Sequence, residues 1–367
     1  MLLCFVALAA ASALFTKFFQ LIDIAEIECK NSRKSPFWRK EMKIYAFEVR
    51  PDEQAMFDSL STEELEITTS PEILTLDNIG LAEGCEAVTT LGMTKWNAPL
   101  LKKASELGVK CISTRTIGYN HIDLNACKEY GVNACNVSYG PDSVADFALM
   151  LMLIALRKYK PAVYRQNVND FSLGGLQGRT INGMTVGVVG TGKIGFAVIK
   201  RLKAFGATVI CHDRHVNKKV EELAEYVSLD ELYKRADMIT YHIPLTAESA
   251  RMVNSYTISQ MKDGVVLINT ARGELMNVED LINGIESQKI GALATDVFDG
   301  ELNIYHESHI NDIISNREMA YLRQFPNVVM TQHMAFYTES AVAEMVKNGV
   351  EGPIAVINGK PWQNKLV

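Results

Sequence analysis

The stretch MTVGVVGTGKIGFAVIKRLKAFGATVICHD, residues 184–213, constrains the fold of this chain more than any other part of it. Gly190-x-Gly192-x-x-Gly195 stands between a β-branched apolar run and an amphipathic stretch with helical spacing. In that setting the first glycine permits a tight turn, the second lets backbone approach a pyrophosphate, and the third lets helix pack on strand. Lys193 and Ile194 lie in the same loop, where their backbone amides matter more than their side chains. The helix that follows turns its unpaired amides toward an anion. A second apolar run ends on Asp213, an acid placed to accept from both ribose hydroxyls and to repel a 2′-phosphate. The pattern implies a dinucleotide, NAD rather than NADP, although Arg214 beside the acid softens the discrimination.

The same alternation runs through most of the chain. KIYAFEV, LEITT, EAVTTLG, KCISTR and NACNV read as strands, with amphipathic stretches such as NAPLLKKASELG and DLNACKEYG between them. Strand and helix alternating at this pace predict a parallel sheet with helices on both faces. A second series, MTVGVVG, ATVICHD, DMITYHIP, GVVLINT, IGALAT and NVVMT, predicts another. One long helix is expected from PDSVADFALMLMLIALRKYK, with Asp142 and Ser143 satisfying its first amides. Its middle is apolar almost all round, so it should be buried between domains or subunits, and a homodimer is expected. The fold class is therefore α/β, with two doubly wound parallel-sheet domains: a Rossmann domain and a smaller flavodoxin-like one. The expected organisation is an extension over 1–41, a first domain over 42–140, the dinucleotide domain over 141–337, and a helix over 338–367 returning to the first domain.

Composition narrows the class of function. A net charge of -6 over 367 residues lacks the basic face that nucleic-acid binding requires. The seven cysteines are scattered and form no C-x-x-C, which suits reduced thiols in the cytoplasm and no metal site. Before Met42, LLCFVALAAASALF is apolar but shorter than a membrane span, and no positive segment precedes its Ala-Ser-Ala. Met42 is the expected initiator and the start of the folded part, with an anchor or targeting segment over 1–41 as the alternative and no membrane contact after Met42.

Several segments together carry a resemblance: STRTIGYNHIDL, NVSYGPDSVADFALMLML, VGVVGTGKIG, INTARGELMNVEDLINGI, ATDVFDGE and PNVVMTQHMAFYTESAV. Across residues 42 to 358 the chain resembles the D-isomer-specific 2-hydroxyacid dehydrogenases. Within them it is most similar to the D-lactate group, including the enzymes that make D-lactate for vancomycin-resistant cell walls. The resemblance implies that NADH reduces a 2-keto acid to a D-2-hydroxy acid in a cleft between two domains, with pyruvate to D-lactate as the expected reaction. Other members, acting on 2-ketoisocaproate, hydroxypyruvate, glyoxylate or phosphoglycerate, are alternatives. So is a non-catalytic NAD-sensing scaffold like the corepressors built on this fold.

Residue by residue, the resemblance gives Arg272 the substrate carboxylate, which its planar fork can grip bidentately. It gives His333 the proton for the carbonyl oxygen, and Glu301 the role of favouring the charged imidazole. Asp296 matches an aspartate beside the nicotinamide. Ile243 and Pro244 match a turn against the adenosine half, and Thr270 and Ala271 should line the nicotinamide ribose. Ile117 and Gly118 match the loop whose amides meet the substrate carboxylate. Tyr139 and Phe336 would wall the pocket for the substrate side chain. Gln332, Ser138 and Ser249 depart from the family pattern, and bear on substrate preference rather than reaction class.

Overall fold

In this computed structural model the described residues are 42–302 and 304–367. The expectations for residues 1–41 lie outside them. The chain divides into two compact units. One takes in the described residues through Arg115, then Tyr119–Val137 and Lys347–Val367; the other takes in Thr116–Gly118 and Ser138–Val346.

The first unit holds a five-stranded parallel sheet of β1 (Met42–Ala46), β2 (Leu65–Thr69), β3 (Ala87–Thr90), β4 (Cys111–Thr114) and β5 (Asn133–Cys135). Its order is β2-β1-β3-β4-β5, the flavodoxin-like arrangement. The connecting helices end as their sequences dictate. Asp123 accepts from the Asn125 and Ala126 amides to open helix Leu124–Tyr130, and Gly131 closes it in the left-handed conformation at φ 68°. Two buried carboxylates organise this unit. Glu48 accepts from the amides of Leu91, Gly92, Met93 and Thr94, folding the loop after β3 around itself. Glu53 pairs with Arg115 at 2.9 Å, both side chains fully buried.

The second unit holds seven parallel strands: β6 (Thr185–Val189), β7 (Thr208–His212), β8 (Glu225–Tyr226), β9 (Met238–Tyr241), β10 (Val265–Asn269), β11 (Ile290–Thr295) and β12 (Val328–Met330). The order β12-β11-β10-β9-β6-β7-β8 reverses direction between β6 and β9. Ligands of open α/β sheets bind beyond the carboxyl ends of the strands at such a switch point. Strand periodicity separates two cores. Val186, Val188, Val209, Cys211, Ile268 and Ala294 face the cluster that includes helices Asp142–Leu156 and Lys193–Ala204. Val189, Ile210, Ile239, Leu267 and Leu293 face the cluster of helices Leu229–Arg235, Ser255–Gln260 and Val278–Glu286.

Two local expectations need correction. The long helix after Pro141 is two helices, Asp142–Leu156 and Tyr159–Asn167, because Lys158 takes the left-handed conformation at φ 50°. Lys160 then reaches out of the second helix, donating to the carbonyls of Arg323, Phe325 and Val328. Nor do Asp142 and Ser143 cap the first helix. Asp142 joins Asp146 on Arg201, and the Ser143 hydroxyl is buried without a partner. The final helix, Glu339–Ile357, passes into the first unit at Lys347, where Gly349 accepts from the Ser113 hydroxyl.

Candidate functional site

All the residues singled out above for chemistry belong to the second unit. At its switch point Gly190 stands at φ 96°, and a side chain there would run into the His242 carbonyl and the Ile243 methyl. A Cβ on Gly195 would collide with the Gly190 carbonyl, whereas one on Gly192 would meet nothing within 4 Å. Two glycines thus serve packing, and the third keeps open the space in front of the helix that begins at Lys193. The Asp213 carboxylate accepts from the Thr191 amide at 2.7 Å and hydroxyl at 3.1 Å, and from the His215 amide at 3.0 Å. Burial opposes its charge, but those donors outweigh burial and hold the carboxyl below its usual range. The group at this position is therefore an anion at neutral pH. Ser249, one of the departures, pins the turn after Pro244 by donating to the Pro244 carbonyl at 2.9 Å.

A second group of side chains lies at the carboxyl ends of β10, β11 and β12. Asn269, buried at the end of β10, accepts from the Ala271 amide and donates to the Arg272 carbonyl, shaping the turn that carries the arginine. Gly273 is required next to it, because a side chain there would strike the Phe298–Asp299 backbone. The Arg272 guanidinium lies against Gly118, close enough that no Cβ would fit between them.

Asp296 follows β11 and is fully buried. Its carboxylate accepts from the Thr331 hydroxyl at 2.6 Å and from the Met334 and Ala335 amides at 2.9 and 2.7 Å. Its carbonyl accepts from the His333 amide at 2.7 Å. Burial pushes the carboxyl up, and the three donors pull the other way. The sequence suggested the cofactor as the neighbour of Asp296; the hydrogen bonds formed here are to the turn that carries His333. That turn holds His333 in the left-handed region at φ 54°, a strained backbone of the kind functional sites retain.

The His333 ring points Nδ1–H at Glu301 Oε1, 2.5 Å away, while Glu301 Oε2 accepts from the Phe298 amide at 2.8 Å. With Nδ1 so engaged, Nε2 is the nitrogen left for chemistry. Phe336 lies 6.5 Å edge-on from the His333 ring and 6.5 Å from Tyr139. The phenol of Tyr139 is pushed up to about 12, chiefly by burial. Gln332, before the histidine, is exposed.

The site fits a dinucleotide. The glycine loop leaves room for a pyrophosphate, and the Thr270 hydroxyl, beside the arginine turn, is buried without any hydrogen-bond partner. An orphaned hydroxyl of that kind costs free energy until a ligand satisfies it. Asn269 and Thr331 are additions that motif reading did not supply. Asn269 carried one signal, a polar residue closing an otherwise apolar strand. Among the described residues no group of three or more His, Cys, Asp or Glu is gathered to hold a metal ion.

A doubly wound dinucleotide fold whose sheet ends carry an arginine and a carboxylate–imidazole pair defines a nicotinamide-dependent oxidoreductase. The family model of the D-isomer specific 2-hydroxyacid dehydrogenase NAD binding domain matches residues 149–335. An aromatic 2-oxoacid reductase of Clostridium sporogenes is 42% identical over 309 residues, covering 83% of this chain and 93% of that protein. A D-specific alpha-keto acid dehydrogenase of Enterococcus faecalis is 37% identical, covering 85% and 96%. The crystal structure of a D-lactate dehydrogenase from Treponema pallidum superposes with a TM-score of 0.81 at 30% identity, over 89% of this chain and all of that one. The chain belongs to the D-isomer-specific 2-hydroxyacid dehydrogenases, NAD-dependent enzymes.

Proposed function

We propose that this enzyme reduces a 2-oxo acid to the D-2-hydroxy acid, with pyruvate to D-lactate as its reaction. The observation that carries the proposal is the 2.5 Å contact between His333 Nδ1 and Glu301, which orients Nε2 as a proton donor. Arg272 and the amides of Ile117 and Gly118 hold the substrate carboxylate, the guanidinium giving a bidentate grip. His333 Nε2 gives its proton to the carbonyl oxygen in reduction and takes it back in oxidation. The carboxylate of Glu301 accepts from Nδ1 and so fixes which ring nitrogen is left for that exchange. Asp296 holds the turn on which His333 stands. When bound, NADH supplies the two electrons and the hydrogen that reach the keto carbon. The amides of Gly192 to Gly195 would hold its pyrophosphate and Asp213 its ribose; Thr270, Ala271 and Asp296 would serve the nicotinamide half, and Ile243 and Pro244 the adenosine half. Tyr139 and Phe336 receive the substrate side chain.

A second reading, an aromatic 2-oxo acid as the favoured substrate, is supported by the Tyr139–Phe336 wall and by the name of the 42% identical relative. The two are separated by kcat/KM with NADH across pyruvate, phenylpyruvate, 2-ketoisocaproate, hydroxypyruvate and glyoxylate. A profile that peaks at hydroxypyruvate or glyoxylate would defeat both.

Cofactor choice is a second expected outcome. Asp213→Ala should raise the NADPH-to-NADH ratio of kcat/KM by about tenfold, since one repelling charge near a phosphate costs on the order of 1–2 kcal/mol. Wild-type preference for NADPH would transfer the role to Arg214.

We also infer a homodimer. Tyr164, Phe171 and Leu173 are 70, 74 and 83% exposed along one segment after the helix break, an apolar surface that a monomer rarely leaves open. Light scattering should give twice the chain mass; a stable, active monomer at dilute concentration would refute pairing. A cytoplasmic setting is supported by the free thiols of Cys85, Cys111, Cys127, Cys135 and Cys211. No helix of the described residues is long and apolar enough to cross a membrane.

A further inference from the structure

The loop that follows Glu301 brings a second imidazole to the site. His306 Nε2 donates to the His333 carbonyl at 3.1 Å. Its own backbone lies in the left-handed region at φ 67°, a conformation that a residue with a side chain rarely adopts. Its ring centroid lies 6.2 Å from that of His333 and 6.3 Å from that of Phe336, which it meets edge to face. Phe336 in turn approaches Tyr139 at 6.5 Å. Separations of this size are those at which rings attract one another beyond the effect of buried area. His306 is nonetheless exposed, so its ring is not consumed by packing within the chain.

We propose that His306 is a specificity-determining residue: with Phe336 and Tyr139 its ring forms an aromatic wall that raises kcat/KM for 2-oxo acids bearing an aromatic side chain relative to that for pyruvate. The inference rests on the reading of this site as a 2-oxo acid reductase. A methyl group gains little from a third ring, whereas a substrate ring gains one further edge or face contact. The hydrogen bond to the His333 carbonyl fixes where the imidazole stands, with its ring centroid 6.3 Å from that of Phe336.

Phenylpyruvate and pyruvate are the probes, each reduced with NADH by the full chain. Three variants separate the ring from its hydrogen bond: His306→Ala removes both, His306→Phe keeps a ring without the donor, and His306→Gln keeps a donor without the ring. The quantity read is the phenylpyruvate-to-pyruvate ratio of kcat/KM. It should fall about threefold to tenfold in the Ala and Gln variants, the size of one ring contact, and stay within about twofold of wild type in the Phe variant. Retention in Gln with loss in Phe would make the hydrogen bond the function and overturn the proposal, as would an unmoved ratio in all three. Unchanged NADH affinity identifies the variants that remain folded. A wild-type chain that reduces no 2-oxo acid would overturn the reductase reading itself, and this inference with it; an active wild type with an unmoved ratio overturns only this one.

Discussion

His333→Ala should lower kcat by about 10²- to 10⁴-fold in both directions, the range that a positioned general acid–base contributes. Reduction loses the donor for the carbonyl oxygen, and oxidation loses the acceptor for the hydroxyl proton. Binding of NADH should survive, because the glycine loop and Asp213 lie at the other end of the strand series, around β6 and β7. The local fold should survive too. The turn is held by the Asp296 carboxylate on Thr331, Met334 and Ala335, none of which involves the imidazole. Steady-state kinetics in both directions, with NADH titration of the variant, check this. A loss confined to one direction would mean that water replaces His333 in the other.

Glu301→Ala should lower kcat by about tenfold to a hundredfold in both directions, because the His333 ring loses the 2.5 Å contact at Nδ1 that fixes where Nε2 points. Glu301→Gln should lose less, since the Gln amide oxygen can still accept from Nδ1. NADH affinity should stay that of the wild type, because the Asp213 contacts and the glycine loop do not involve this pair. Steady-state kinetics of both variants in both directions, with NADH titration, read it. Wild-type turnover in the Ala variant would place Glu301 outside the catalytic set.

The phosphate loop was legible because Gly190 and Gly195 answer demands that no residue with a side chain meets, and such demands are local in sequence. The alternation of strand and helix was legible for the same reason: periodicity is local, and the two sheets follow from it. What could not be read was long-range. Asp296 attracts attention in the sequence as an acid after an apolar strand, yet its partners lie 35 to 39 positions away, and only the folded chain brings their donors to it. The helix break at Lys158 is similar, since nothing in ALRKYK interrupts helical spacing. It is accompanied by tertiary bonds from Lys160 to carbonyls more than 160 positions on. The two-residue strand Glu225–Tyr226 is too short to display any period. His306 carried no signal, because a histidine in a polar loop is common and its neighbours are fixed by the loop's path.

The most direct measurement mixes the enzyme with NADH and pyruvate, follows NADH consumption, and separates the lactate formed on a chiral column. The expected result is D-lactate in one-to-one proportion with the NADH consumed, lost with His333→Ala. Tight NADH binding without turnover of pyruvate or any other 2-oxo acid, or a product of the L configuration, would contradict it.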